Sequence, residues 1–344
     1  MAATTVTVSG GHSTLEGSPL SRLPDRALRY GLTGIAIAIL LLLAYFFERL
    51  ISNSTQVFGH QGFFSFIFSN DWNPAAEIYG GWPLVLGTLV TSGIALVLGI
   101  PVAIATALTV QELCPPRLRP ILAMLLDLLA AVPSVVYGLW GVFVLIPALK
   151  GFQQSLANFF GFLPFVAGTV AGPSYFIAGL ILAIMILPIV SAVSREVIAT
   201  VPSDLKEGSL ALGATRWEMI RMAVLPYSRS GITGAAMLGL GRAIGETIAV
   251  VLVIGNALTV GHSIFQQGYS LAAVIANEFG EAASDPLHRS ALFAAGLVLF
   301  VLTLIVNMIA RRYVVRAAKR SSRGAEPPPP EALEAVIPQA APVQ

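Results

Sequence analysis

No residue from Ile78 to Gln111 carries a charge, and this run constrains the fold more than any other feature. About 20 mainly apolar residues cross a hydrocarbon core of ~30 Å. Comparable stretches recur along the chain, and together they predict six spans: Tyr30–Phe47, Pro83–Val110, Leu118–Leu145, Tyr175–Val193, Ser230–Ile254 and Ser290–Ala310. In lipid every backbone polar group needs an internal partner, so spans of this length are helices. Hydrophobic residues make up 56% and charged residues 11%, against roughly 25% charged in soluble domains. Mean hydropathy is +0.79. The fold class that follows is an all-α integral membrane protein of about six transmembrane helices. A disordered chain, a collagen and almost any soluble enzyme are excluded.

The basic residues orient these spans. Sixteen of the twenty Lys and Arg fall before span one, between spans two and three, between spans four and five, or after span six. The opposite side holds Arg49, Lys150 and Arg289, and Arg242 lies inside a span. Positive residues mark the cytoplasmic loops. The expectation is a plasma (inner) membrane protein, multi-pass, with both termini cytoplasmic. Arg22, Arg26 and Arg29 before span one give it the look of a signal peptide, but no small-residue cleavage site follows, which favours an uncleaved anchor.

Residues 1–20 are rich in Ser, Thr and Gly and read as a disordered cytoplasmic N-terminus. Residues 313–344 begin basic and end in a Pro-rich tail containing Pro327–Pro330, which reads as solvated and disordered. The segment Ile51–Trp82 is crowded with Phe58, Phe63, Phe64, Phe66, Phe68, Trp72, Tyr79 and Trp82. Aromatics concentrate at membrane–water boundaries, so this is either an interfacial re-entry segment or a docking surface for an outside partner.

Several chemistries are missing. No Gly precedes any of Lys150, Lys206 and Lys319, so there is no phosphate-cradling Gly-Lys-Ser/Thr loop. The four histidines are scattered without metal-ligand spacing. Cys114 is the single cysteine and has no redox or zinc reading. The run Gly239–Gly245 resembles a dinucleotide fingerprint, but its last Gly is one residue late and no strand precedes it. No catalytic group, cofactor or metal is expected.

Two segments carry positive signals. The first is Pro202–Arg221, between spans four and five. Asp204 with Glu207, and Thr215 with Glu218, have the spacing of capping boxes. Gly213 sits where a helix can end in the left-handed conformation. The prediction is two short helices joined by a glycine turn, with Leu205, Leu210, Leu212, Trp217, Ile220 and Val224 as apolar surface. That surface can pack on the chain's own span ends or enter a groove on another protein. A DNA-binding reading is excluded by a net charge near +1 over 203–229 and by the membrane tether.

Glu207-Gly208-Ser209, Gly213 four residues later, and Leu225-Pro226 resemble the EAA loop of ABC-importer permeases. Gly208 and Ser209 replace the two alanines of that pattern, and Ala223 stands at its Ile position. The resemblance implies a cytoplasmic helix-turn-helix coupling loop that docks a separate ATPase through Glu207, Gly208, Ser209, Gly213, Leu225 and Pro226.

The second signal lies inside span five. Arg242 is 13 residues past Arg229, about 20 Å along a helix. An Arg at mid-span costs roughly 2.5–3.5 kcal/mol on insertion scales. Glu246 is four residues on, which predicts one helix face and a mutual pair. Such a pair either locks span five to a neighbour or lines an anion path, since guanidinium matches phosphate oxygens bidentately. Asp127 is a weaker case, near the inner interface.

The string Gly239–Val250, together with Ala131–Leu139 and Trp72-Asn73-Pro74, resembles phosphate-specific ABC permeases of the PstC type. The resemblance covers about residues 25–318. It implies a permease subunit of an ATP-driven phosphate importer with Arg242 and Glu246 on the substrate path. It further implies a heterodimer with a PstA-type permease, a PstB-type ATPase that hydrolyses the ATP, and a PstS-type phosphate-binding protein outside. The expected organisation is 21–82 as first helix and outer aromatic segment and 83–312 as permease core. The alternatives are an ABC permease for sulfate or molybdate, or a stand-alone secondary transporter. Secondary transporters show paired broken helices in related halves, and no such pairing is legible.

Overall fold

The computed structural model describes residues 23–163, 165–166, 170–258 and 263–323. The expectations for residues 1–20 and for the tail beyond Arg323 fall outside the described residues, whereas residues 313–323, expected as part of that tail, continue the last helix. The chain divides into two units, residues 1–52 and 53–344.

The first unit holds most of helix α1 (Leu23–Gln61). Its Leu32, Ile35, Ile39, Leu41, Leu42 and Phe46 are all exposed. A helix that is apolar all round is stable only in lipid or in a large core, so this is a membrane span.

The second unit is mainly helical, with one two-strand hairpin among the described residues. After α1 come α2 (Phe63–Phe68), β1 (Trp72–Asn73), β2 (Ile78–Tyr79) and α3 (Trp82–Leu108). Then follow α4 (Arg119–Ala130), α5 (Ser134–Trp140), α6 (Ile146–Phe159) and α7 (Tyr175–Ala199). The remaining helices are α8 (Ser203–Ala211), α9 (Arg216–Met219), α10 (Leu225–Gly245), α11 (Ile248–Ile254), α12 (Leu271–Glu278) and α13 (Pro286–Arg323). Single π-helical segments extend α3 (Thr109–Leu113), join α5 to α6 (Gly141–Leu145) and join α9 to α10 (Ile220–Val224).

Among the described residues, five helices are long and apolar enough to span a membrane, six if the bent pair α9–α10 plus α11 is one span. Two boundaries differ from the sequence expectation. The third span is Ser134–Phe159 rather than Leu118–Leu145. The helix stops at Ala130 because Pro133 has no N–H to donate and forces its predecessor out of helical geometry. Pro133 is itself extended, at φ −60° and ψ 142°. Asp127 therefore lies on the separate helix α4, where it meets Arg195 of α7 at 3.6 Å. The fifth span is not one helix either: it bends by 62° between Gly245 and Ile248.

The central core is α7. Ile177, Ile181, Met185, Ile186 and Val190 pack on Ala95 and Ala103 of α3, Ala235 and Ala243 of α10, and Val250 and Val253 of α11. Without a hydrophobic drive between helices in lipid, small residues that permit close approach decide the pairing. Gly138 of α5 shows the same requirement: a Cβ there would come within 2.6 Å of Leu252 and 3.1 Å of the Ala249 backbone.

The aromatic segment is divided. Phe66, Trp72 and Tyr79 are buried in a second core with Leu271, Val274, Leu292 and Ala295, whereas Phe64 and Phe68 stay exposed. The Trp72 indole N–H donates to Glu278 Oε2 at 2.9 Å, and His288 Nε2 meets the same oxygen at 2.9 Å. The Tyr79 ring stacks on His288. Burial, reinforced by Asp285, Glu77 and Glu278, pushes the Tyr79 hydroxyl up to about 12.

Candidate functional site

The loop between α7 and α10 folds as two short helices around a glycine turn. Gly213 has φ +86°, a conformation that only glycine adopts without strain. Its N–H bonds to Leu210 O at 3.0 Å, and Ala214 N–H bonds to Ser209 O at 3.2 Å. The Thr215–Glu218 capping box forms: Glu218 N–H donates to Thr215 Oγ1 at 3.3 Å and Thr215 N–H to Glu218 Oε2 at 2.7 Å. These bonds hold the Glu218 carboxyl below its usual 4.5. The Asp204–Glu207 box does not form. Helix α8 begins at Ser203, two residues earlier than a cap at Asp204 would start it, so Asp204 sits inside its first turn rather than at the cap.

The apolar residues of the loop split between two environments. Met219, Ile220 and Val224 are buried with Ala107 and Leu108 of α3's end, Ile198 and Val201 at α7's end, and Ile232 of α10. Leu205, Leu210, Leu212 and Trp217 are exposed, Leu212 to 92%. One half of the loop is thus fastened to the spans, and the other presents apolar side chains outward. Glu207 and Gly208 are exposed on α8, and nothing crowds Gly208. Ser209 Oγ donates to Lys206 O at 2.8 Å. Leu225 and Pro226 open α10, Pro in the first turn where its missing N–H costs nothing. Both line a shallow cleft of about 380 Å³ with Ile104, Arg229, Ile232 and Thr233.

The span-five charges are placed differently from the expectation. Arg242 is in the last turn of α10, and Glu246 lies beyond its end in extended geometry (φ −72°, ψ 130°). They do not share a helix face, and no ion pair joins them among the described residues. Glu246 Oε1 instead accepts from the Ala249 N–H at 3.3 Å, capping α11. Arg242 is exposed and lines a cleft of about 520 Å³ with Ile189, Met237, Leu238, Gly241 and Asn307. It also lies within electrostatic reach of the Tyr137 hydroxyl, which donates to Leu129 O at 2.8 Å across the Pro133 break.

Two interactions escaped the sequence reading. Lys206 of the loop pairs with Glu112 at the end of α3, and Glu278 joins Trp72 to His288. The partners are 94, 206 and 10 residues apart. The first two separations exceed any local spacing rule, and the third bridges two helices.

An exposed helix pair, a broken span and an apolar helical bundle make this an all-α membrane protein. The family model for binding-protein-dependent transport system inner membrane components matches residues 97–319. A bacterial alginate ABC transporter, solved with an alginate-bound periplasmic protein, shares the fold at TM-score 0.59 and 18% identity, covering 87% of this chain and 99% of that one. The phosphate transport system permease protein PstC of Pasteurella multocida is 44% identical over 84% of this chain and 91% of its own length. That of Mesorhizobium japonicum is 44% identical over 83% and 88%. The chain belongs to the PstC family of ABC-importer permeases, which are multi-pass components of the inner membrane and work with an ATPase and a binding protein.

Proposed function

We propose that this chain is the phosphate-conducting permease subunit of an ATP-driven importer. The observation that carries the reading is Arg242, a permanently charged guanidinium deep in a span, open to a cleft and without an ion-pair partner among the described residues. A membrane-buried charge is retained for function or pairing, and a planar fork suits a phosphate or other tetrahedral oxyanion. Glu246 follows the end of α10 at Gly245, accepts from the Ala249 amide of α11 and keeps a carboxylate near the path.

The chain supplies no ATP site of its own. Hydrolysis belongs to a PstB-type ATPase that meets Glu207, Gly208, Ser209 and Gly213, with Leu225 and Pro226 setting the exit into α10. Exposed Leu205, Leu210, Leu212 and Trp217 support this, because a cytoplasmic helix pair with such a face needs a cover. A PstA-type permease forms the other half of the path and a PstS-type protein delivers phosphate from outside. Both termini are cytoplasmic. The names of the relatives favour phosphate over sulfate or molybdate. The test is purification of the complex: a soluble ATPase should accompany the chain in stoichiometric amount, and a chain that transports phosphate without one would refute the reading.

A further inference from the structure

Helix α8 is held to the rest of the protein in a way that α9 is not. None of its nine residues is buried. The α9 side is fastened by Met219, Ile220 and Val224 in an apolar cluster shared with α3, α7 and α10. The ion pair that ties α8 to a span, among the described residues, is Lys206 Nζ to Glu112 Oε1 at 2.6 Å. It is the shortest ion pair among the described residues, and its side chains are only 20% and 7% exposed. Adjacent residues thus take opposite duties: Lys206 turns inward, while Glu207 is exposed where a cytoplasmic partner reaches it.

Glu112 sits in the π-helical extension of α3, Thr109–Leu113. Single π turns inside helices recur at functional positions. Helix α3 makes the most extensive helix–helix contact in the fold, with α7. A displacement of α8 therefore enters the core through Glu112.

We infer that the Lys206–Glu112 ion pair is a strut that transmits movement of α8 into α3, so that ATP use by the partner is coupled to transport through this pair of positioning residues. The inference rests on the permease reading above. An ion pair removed from water suits the task, because losing one partner strands the other charge, whereas exchanging the two restores the attraction. An apolar contact at the same place would slide rather than hold a register.

The test uses the complete complex in proteoliposomes, with phosphate taken up per ATP hydrolysed as the readout. Hydrogen exchange of the 203–211 amides is measured on the same samples. The variants are Glu112→Gln, Lys206→Met and the charge exchange Glu112→Lys with Lys206→Glu. Each single variant should assemble and keep hydrolysing ATP, while uptake per ATP falls about fivefold or more, the lower range of coupling between linked sites. Exchange at 203–211 should quicken, and the charge-exchange variant should recover both. Wild-type ratios in the single variants, or a charge-exchange variant as defective as the singles, would overturn the inference. Should a single variant fail to assemble, recovery of assembly on charge exchange supports the strut and failure to recover overturns it. A wild-type complex that takes up no phosphate would instead sink the permease reading. Hydrogen exchange would still judge the strut, since unchanged 203–211 amides in Glu112→Gln would overturn it.

Discussion

Arg242 and Glu246 stand four residues apart on opposite sides of a helix end. The α-helix stops at Gly245, Glu246 is extended, and its carboxylate turns forward to the Ala249 amide instead of back to the guanidinium. The two charges therefore do separate work: the arginine faces a cleft, and the glutamate holds the bend.

This separation makes a double change informative. If the pair merely locked helices together, Arg242→Gln with Glu246→Gln would recover assembly and uptake together. The structure predicts otherwise. Gln at 246 keeps an oxygen for the Ala249 amide, so the double variant assembles normally. Uptake stays at least about tenfold low, on the scale of a lost charge-assisted contact of 1.5–3 kcal/mol. Arg242→Lys is also impaired, because a compact ammonium lacks the fork. An assembled double variant with near-normal uptake would leave only a structural role.

Gly213→Val tests the turn. A left-handed backbone costs a residue with Cβ roughly 1–2 kcal/mol, and β-branching adds to it. Space is not the obstacle, since nothing lies within 4 Å of the Cβ position. Membrane insertion should survive while ATPase association and uptake fall. Normal association in a pull-down would remove Gly213 from the docking assignment.

The cap at Thr215 gives a stability and pH prediction. Thr215→Ala should cost about 1 kcal/mol locally and speed hydrogen exchange at Trp217–Met219. Glu218 titrates below its ordinary 4.5 in the folded chain because Thr215 bonds its charged form. Its contribution is therefore complete above pH 4.5 and is lost as pH falls through the lower folded value. Glu218→Gln should remove that acid-side change. A wild-type loop no looser at pH 3 than at pH 6, relative to Glu218→Gln, would contradict the cap.

The orientation is tested by thiol labelling in intact cells. Cys114 should be shielded on the cytoplasmic side, where Arg117 and Arg119 follow it. A cysteine placed at Asn70, exposed in the aromatic segment, should react with an impermeant reagent. Ser54 is unsuitable because it is fully buried. Labelling at 114 and not at 70 would invert the topology.

Local rules made much of this fold readable. Uncharged length marked the spans, and Gly213 and the Thr215–Glu218 spacing marked the helix pair. The misses came where several turn or break signals competed. Pro133 splits a continuous apolar run into α4 and a later span. Asp204 has cap spacing, but Pro202 had already started the helix. The Glu246 break carries no Pro, and the contact of α11 with α5 at Gly138 joins residues far apart in sequence. Lys206–Glu112 and the Glu278 junction depend on which elements meet in space.

In the proposed function the chain passes phosphate when a partner ATPase drives it. The measurement that bears on it most directly is uptake of labelled phosphate by the reconstituted complex, with sulfate and molybdate as competitors. The expected result is ATP-dependent phosphate accumulation that excess unlabelled phosphate abolishes and that sulfate and molybdate leave nearly unchanged. Uptake suppressed equally by sulfate or molybdate, or proceeding without ATP, would contradict it.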